Sequence, residues 1–391
     1  MTYLLLIQIL MKIFSILGLI IMTAHPMYEA DGTLWNIGFA AGPDRNGIAT
    51  STWRYVIWKV TPPETKEEMK NPWLRLEIVA EVPSSKMWSI PYFHSFFMTE
   101  NYLIFTEQPW ITGDLSKLLI DHIIKGKGIG DTMYWDENMP LYFHIVEKST
   151  GKLHPLKYEA DPFGFFHAIN AYEEDGHIIL DAPFKSTPVS YNSLKIESLG
   201  APPSELQKTM MTEDPVAGPC MRFVLPLYAP GFTGMPSQIP SLGETKAWVV
   251  ADSTIYLHPE YLAPPSQYKR QRAFEFGVVN PQYLSQKYRF AYGVGYPRGN
   301  VAGSIIKLDT MKKKFVKTWE DSKCFATEPI FVPRPGSTKE QDGVVVFSCL
   351  GTDRVNPTTY FVVLNPDLEE LGRFSAPFNT PVEFHGLWIS S

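Results

Sequence analysis

Residues 91–109 read PYFHSFFMTENYLIFTEQP, and this stretch decides the fold. Its second half, Tyr102–Gln108, is a short run rich in β-branched and aromatic side chains, closed by Pro109. Short apolar runs of this kind, bounded by turn residues, read as strands. Ahead of the run stands His94, set among Tyr92, Phe93 and Phe96. The same grammar repeats in both directions. Upstream lie Tyr55–Val60 and Leu74–Val82; downstream come Leu141–Glu147, His177–Leu180, Met221–Tyr228, Ala247–Ala251, Ser304–Leu308, Gly343–Ser348 and Tyr360–Leu364. Turn chemistry separates them: Pro62-Pro63, Pro83-Ser84-Ser85, Gly151, Asp175-Gly176, Pro333-Arg334-Pro335-Gly336 and Asp342-Gly343.

So many short strands predict an all-β chain, as a barrel, a sandwich or a propeller. A single sandwich rarely holds this many, which favours the propeller. The 33 prolines and 27 glycines agree, since both residues punctuate and neither sustains helix. No WD or kelch signature is present, and close internal repeats are absent. The exception is Asp114–Lys127, DLSKLLIDHIIKGK. At helical spacing Leu115, Leu118, Leu119 and Ile123 share one face, widened by Ile120 and Ile124. This segment is expected to pack on its own domain or to lie on a membrane surface.

Composition narrows the function. Hydrophobic residues make up 45% and charged residues 19% of the 391, which suits a globular protein. Net charge is −6, without a basic block to neutralise phosphates, so nucleic acid is excluded as an expected partner. Cys220, Cys324 and Cys349 show no paired spacing; they argue against a disulfide framework and for a reducing compartment, with cytoplasmic placement. No CxxC pair exists to hold zinc.

The amino terminus is ambiguous. Leu4 to Met22 is a nearly continuous apolar run, interrupted by Gln8, Lys12, Ser15 and Gly18. Its length suits a membrane span or a signal peptide, which leaves anchoring or secretion open. Against both, a central charge such as Lys12 costs roughly 3 kcal/mol on insertion. A buried segment of the domain is the alternative. Residues 1–22 are accordingly set apart as a leader, and 23–391 as the domain.

Four of the nine histidines stand in particular contexts: His25 in TAHPMYEADGTLWNIG, His94 as quoted, His167 in PFGFFHAINAYEEDGHIILD, and His385 in PVEFHGLW. Imidazole is a good ligand for ferrous iron, zinc and copper. Ligands far apart in sequence, each beside a strand, are what a propeller axis would gather. The remaining histidines, His122, His144, His154, His177 and His258, read as surface or structural residues. The Lys312-Lys313-Lys314 run reads as a solvated hairpin tip, and GKGIG at 126–130 as a loop.

These four motifs, together with AFEFGVVN around Glu275 and ATEPIFVPRPG around Glu328, resemble the carotenoid cleavage oxygenases. The resemblance runs from about Thr23 to Trp388, with the motifs in the family's order. It implies a seven-bladed β-propeller under a helical and loop dome, with Fe(2+) held by His25, His94, His167 and His385. The pattern Phe-His-x-x-Asn selects His167. It further implies that Glu275 and Glu328 accept hydrogen bonds from ligand histidines, which fixes tautomer and ring orientation.

The implied activity is oxidative cleavage of a conjugated carbon–carbon double bond of carotenoids or apocarotenoids by dioxygen, giving two carbonyl products. A retinoid ester isomerohydrolase uses the same ligands and stands as the alternative. Tyr92, Phe93, Phe165, Phe166 and Phe274 are candidates for the substrate tunnel, with ordinary core as the plainer reading. Trp110 to Ile124 falls where the family presents its membrane-facing entrance, so peripheral membrane association is expected. The family's remaining glutamate lies upstream of the first histidine, in a propeller portion that has no counterpart here. The sequence therefore predicts missing first blades and one ligand histidine without its family-type carboxylate. A non-catalytic lipid-binding form is the third possibility on that ground.

Overall fold

The computed structural model describes residues 19–41, 53–86, 89–113, 125–126, 132–187, 218–271, 273–297, 303–351, 358–377, 380 and 385–388. The chain divides into two compact units, Met1–Pro162 and Phe163–Ser391. Strand dominates both; the described helices are short, such as Lys66–Lys70 and Pro265–Gln271.

In the first unit, Leu19–Met22, Leu34–Ala41, Trp53–Val60 and Leu76–Pro83 form one antiparallel sheet, with Met27–Tyr28 also on Leu34–Ala41. Side chains alternate across a strand, and here both faces are covered. Trp35, Ile37, Phe39, Trp53, Tyr55 and Ile57 point into one cluster with Phe93, Phe96 and Phe105. Ala40 and Val56 point the other way, against Met22, Trp73 and Ile78. Each large apolar side chain so buried contributes about 1.5–3 kcal/mol. A second group pairs Phe97–Met98, Tyr102–Glu107, Leu141–Glu147 and Lys157–Ala160. A third, small sheet sets Ile90–Pro91 and Met133–Trp135 on either side of Trp110–Thr112.

In the second unit, Asn170–Glu174, His177–Pro183 and Cys220–Pro226 pair in sequence, with Glu260–Tyr261 on the edge. The first two form a hairpin whose turn, Asp175-Gly176, has φ of 48° and 73°. Positive φ at both central positions is the turn that matches strand twist. Glu275–Val278, Phe290–Gly295, Ser304–Asp309 and Lys314–Glu320 make the next sheet. Ile306, Leu308 and Ala291 face one cluster, whereas Tyr292, Val294 and Ile305 face another formed with Gly343–Gly351 and Thr359–Leu364. The lysine run lies in the tight connection between Ser304–Asp309 and Lys314–Glu320, and Lys313 reaches buried Glu260 at 3.0 Å.

Three expectations are revised. The end of the apolar leader is a strand: Leu19–Met22 pairs with Gly38, Phe39 and Ala40, so the first sheet begins before residue 23. Residues 4–18 of the leader lie outside the described residues, and among those described no helix is long and apolar enough to cross a membrane. Trp110, Ile111 and Thr112 are buried at 3%, 1% and 1% exposure in a central strand, so that part of Trp110–Ile124 faces the interior and not a membrane. Of the expected helix Asp114–Lys127, residues 114–124 and 127 lie outside the described residues, as do residues 128–130, and the described Lys125 and Gly126 are not helical. Finally, Cys324 and Cys349 are neighbours on adjacent strands, with Cα atoms 5.7 Å apart, a separation that a disulfide can span. Strand pairing, which sequence spacing does not reveal, brings them together. Cys220 is buried and free.

Candidate metal ligands

In the first unit His25 follows the strand Leu19–Met22 directly. The Thr23 amide donates to the Ile37 carbonyl at 3.0 Å, and the Ala24 amide donates to the carbonyl of His94 at 2.9 Å. Thr23 is buried, and its hydroxyl contacts the Asn36 side chain. The residue before His25 is thus tied to the backbone of His94. Their rings stand 4.9 Å apart at 57°, and one nitrogen of each lies within 4.8 Å of one on the other.

His94 is positioned from the small sheet. Ile90 and Pro91 pair with Thr112 and Ile111, and the Tyr92 amide donates to the Trp110 carbonyl at 2.7 Å. Tyr92 packs edge-on against the Trp110 ring at 5.0 Å, and its hydroxyl lies 2.8 Å from Nδ1 of His94. Burial pushes the Tyr92 phenol up to about 12. Phe93 points the opposite way into the core, edge-on to Tyr55 at 5.3 Å.

In the second unit His167 precedes the strand Asn170–Glu174. Asn170 is buried and fastens this strand to the segment 283–286. Its amide donates to the carbonyls of Tyr283 and Gln286 at 2.9 and 3.1 Å, and its oxygen accepts from the Ser285 amide at 2.9 Å. Nδ1 of His167 lies 2.6 Å from Oε2 of Glu275, which is 2% exposed. A carboxylate only accepts, so Nδ1 carries the proton and Nε2 keeps its lone pair. The same Oε2 accepts from the Phe276 amide at 2.8 Å.

His385 repeats the pattern. Its Nδ1 lies 3.2 Å from Oε2 of Glu328, which also accepts from the Gly386 amide at 3.1 Å. The rings of His167 and His385 stand 5.1 Å apart at 67°, with nitrogens within 4.8 Å.

A bulge sets this second pair. Glu275 opposes Val294 and Val278 opposes Tyr292, so Phe276 and Gly277 share one place on the partner strand, opposite Gly293. Phe276 has φ +53°, a conformation costly to a residue with a side chain. Bulges re-aim side chains and concentrate near functional sites. Here the bulge lays the Phe276 ring against both imidazoles, 4.7 Å from His167 and 5.3 Å from His385. Sequence reading passed over Phe276; the glycine that follows it was the available signal for a bulge.

The tunnel candidates divide by position. Phe165 is buried against Phe184 at 5.0 Å. Phe274 is fully buried, stacked on Phe315 at 5.8 Å, over Gly277 and Gly293. Phe166 adjoins the His167 ring at 6.1 Å. Of the histidines read as structural, His144 stacks on Phe105 at 4.8 Å, and His177 Nδ1 bonds the Asp175 carbonyl at 2.8 Å.

Neutral imidazoles whose far nitrogens are held by carboxylates are a donor set suited to a divalent transition metal. The pair His167 and His385 meets that description, and His25 and His94 add two imidazoles, the second of them beside the Tyr92 hydroxyl. The fold and these histidines define an all-β protein with candidate metal ligands. The profile of the RPE65 (retinal pigment epithelial membrane protein) family matches residues 10–390, and the chain belongs to that family.

The mitochondrial carotenoid-cleaving dioxygenase of Macaca fascicularis is 34% identical over 373 residues, covering 94% of this chain and 64% of that protein. The beta,beta-carotene 15,15'-dioxygenase of Rattus norvegicus is 29% identical over 371 residues, covering 94% and 62%. Among solved structures, cobalt-substituted Synechocystis apocarotenoid oxygenase matches with a TM-score of 0.66 at 20% identity, over 95% of this chain and 65% of that one. That likeness carries the fold, an all-β chain of the seven-bladed propeller class. The chain spans less than two thirds of the length of these relatives.

Proposed function

We propose that His25, His94, His167 and His385 together hold one ferrous ion, and that the protein is an oxygenase of carotenoids or apocarotenoids. The observation that carries this reading is the pair of carboxylate contacts. Glu275 on His167 and Glu328 on His385 each leave Nε2 as the donor nitrogen. The names of the relatives support the substrate class, since both describe carotenoid dioxygenases.

Iron held there would supply the activation of dioxygen for splitting a conjugated double bond into two carbonyl products. The protein's own residues orient and shield. Glu275 and Glu328 hold the protons on Nδ1 of their histidines, and the carboxylates raise the basicity of the rings. Phe276 covers the His167 and His385 imidazoles on one side with an apolar face. A conjugated apolar chain needs no acid or base from the protein to bind; it needs a dry, shaped channel.

The test is product analysis. Iron-loaded protein is incubated with β-carotene, an apocarotenal and a retinyl ester under labelled dioxygen. Aldehyde or ketone products carrying label, absent in His167→Ala, support cleavage. Cis-retinol formed from an all-trans ester without dioxygen would instead identify an isomerohydrolase.

A further inference from the structure

We propose that Tyr92 is the positioning residue of His94, holding Nδ1 through its phenol oxygen so that Nε2 is presented as the metal ligand. The inference rests on the metal reading above and deepens it.

Three features of the chain place this phenol. The strand Ile90–Pro91 lies beside Trp110–Thr112, and from Pro91 to Ser95 burial alternates residue by residue, so residues two apart face the same side. Tyr92 and His94 therefore share a face, while Phe93 between them enters the core. The Tyr92 backbone is fastened by its amide to the Trp110 carbonyl, and its ring rests on the Trp110 indole. With both ends fixed, the hydroxyl reaches Nδ1 of His94 at 2.8 Å.

A neutral imidazole has one proton to place. If the phenol donates to Nδ1, the proton sits on Nε2, and that nitrogen is lost as a ligand. If Nδ1–H donates to the phenol oxygen, Nε2 keeps its lone pair. Metal binding selects the second arrangement, and the phenol can serve it because a hydroxyl accepts as well as donates. His94 is thus oriented by a neutral oxygen, whereas His167 and His385 are oriented by carboxylates.

The experiment uses Co(II) as the probe, with the whole chain. Apo wild type and Tyr92→Phe are titrated with Co(II) against a competing chelator, and the visible absorption of the bound ion is recorded. Tyr92→Phe keeps the ring on Trp110 and removes the oxygen. The expected result is affinity about tenfold weaker, the lower end of what such partners contribute. The cobalt bands should shift toward those of His94→Gln, while apo thermal unfolding stays as in wild type. Wild-type affinity and bands in Tyr92→Phe would overturn the inference and leave the metal reading intact. Should Tyr92→Phe not fold, 4-fluorophenylalanine at position 92 supplies a nearly isosteric ring whose fluorine is a poor acceptor and does not ionise. Unchanged affinity and bands there would overturn the inference equally. Wild type that takes up no Co(II) would remove the metal reading itself, and the inference with it.

Discussion

Glu275 and His167 lie 108 positions apart in the chain, yet Oε2 of the first stands 2.6 Å from Nδ1 of the second. Glu275 is buried, and the bulge at Phe276 and Gly277 aims the carboxylate. Glu275→Gln keeps the size and removes the charge. Its amide can also turn its NH2 toward Nδ1, which would favour the wrong tautomer. Metal affinity should fall by about 10–100-fold. Chelator competition measures it; affinity within twofold of wild type would show that the contact does not support the ligand.

Gly293 tests the bulge from the opposite strand. A Cβ there would lie 2.6 Å from Cζ of Phe274 and 2.9 Å from the carbonyl oxygen of Glu275. Phe274 is fully buried and the carbonyl is backbone, so neither yields easily. Gly293→Ala should destabilise by roughly 1–3 kcal/mol, as overpacking does, and should also weaken metal binding by displacing Glu275. Gly372→Ala is the control, because no atom lies within 4 Å of its added Cβ. Equal urea midpoints for the two variants would refute the packing argument.

Glu107 supplies a pH signature. It is fully buried; burial alone would raise its carboxyl, but His144 and the Ser85 amide and hydroxyl more than offset this and hold it below the usual range. A group with a lowered folded value stabilises above its unfolded value, about 4.3 for glutamate, and loses that contribution as pH falls through the folded value. Glu107→Gln should therefore be less stable than wild type at pH 7, with the gap closing as pH approaches 3. Urea unfolding across that range checks it; a gap that stays constant with pH contradicts it.

The strands were legible because alternation and turn chemistry are local. Leu141–Glu147 is a strand over the span its sequence indicates, and Tyr55–Val60 extends to Trp53–Val60. Asp175-Gly176 announced a turn and forms one. The histidines were legible through motif resemblance, since nothing in spacing alone separates His94 from His144.

What stayed hidden depends on contacts between distant residues. Cys324 meets Cys349 because their strands are neighbours. The Phe276 bulge requires knowing that Gly293 lies opposite. Tyr92 was singled out as a tunnel residue, and its contact with Nδ1 of His94 is a finding of the structure. The end of the apolar leader was hidden for another reason. Leu19–Met22 has the composition of a membrane segment, and only pairing with Leu34–Ala41 shows it to be sheet.

The most direct measurement is metal stoichiometry of the purified chain, beside His25→Ala and His167→Ala, one variant from each pair. The account predicts one iron per wild-type chain and loss of that ion in both variants, because all four imidazoles serve a single site. No bound iron in wild type would contradict it. So would two ions per chain, with each variant losing only one, since the pairs would then act separately.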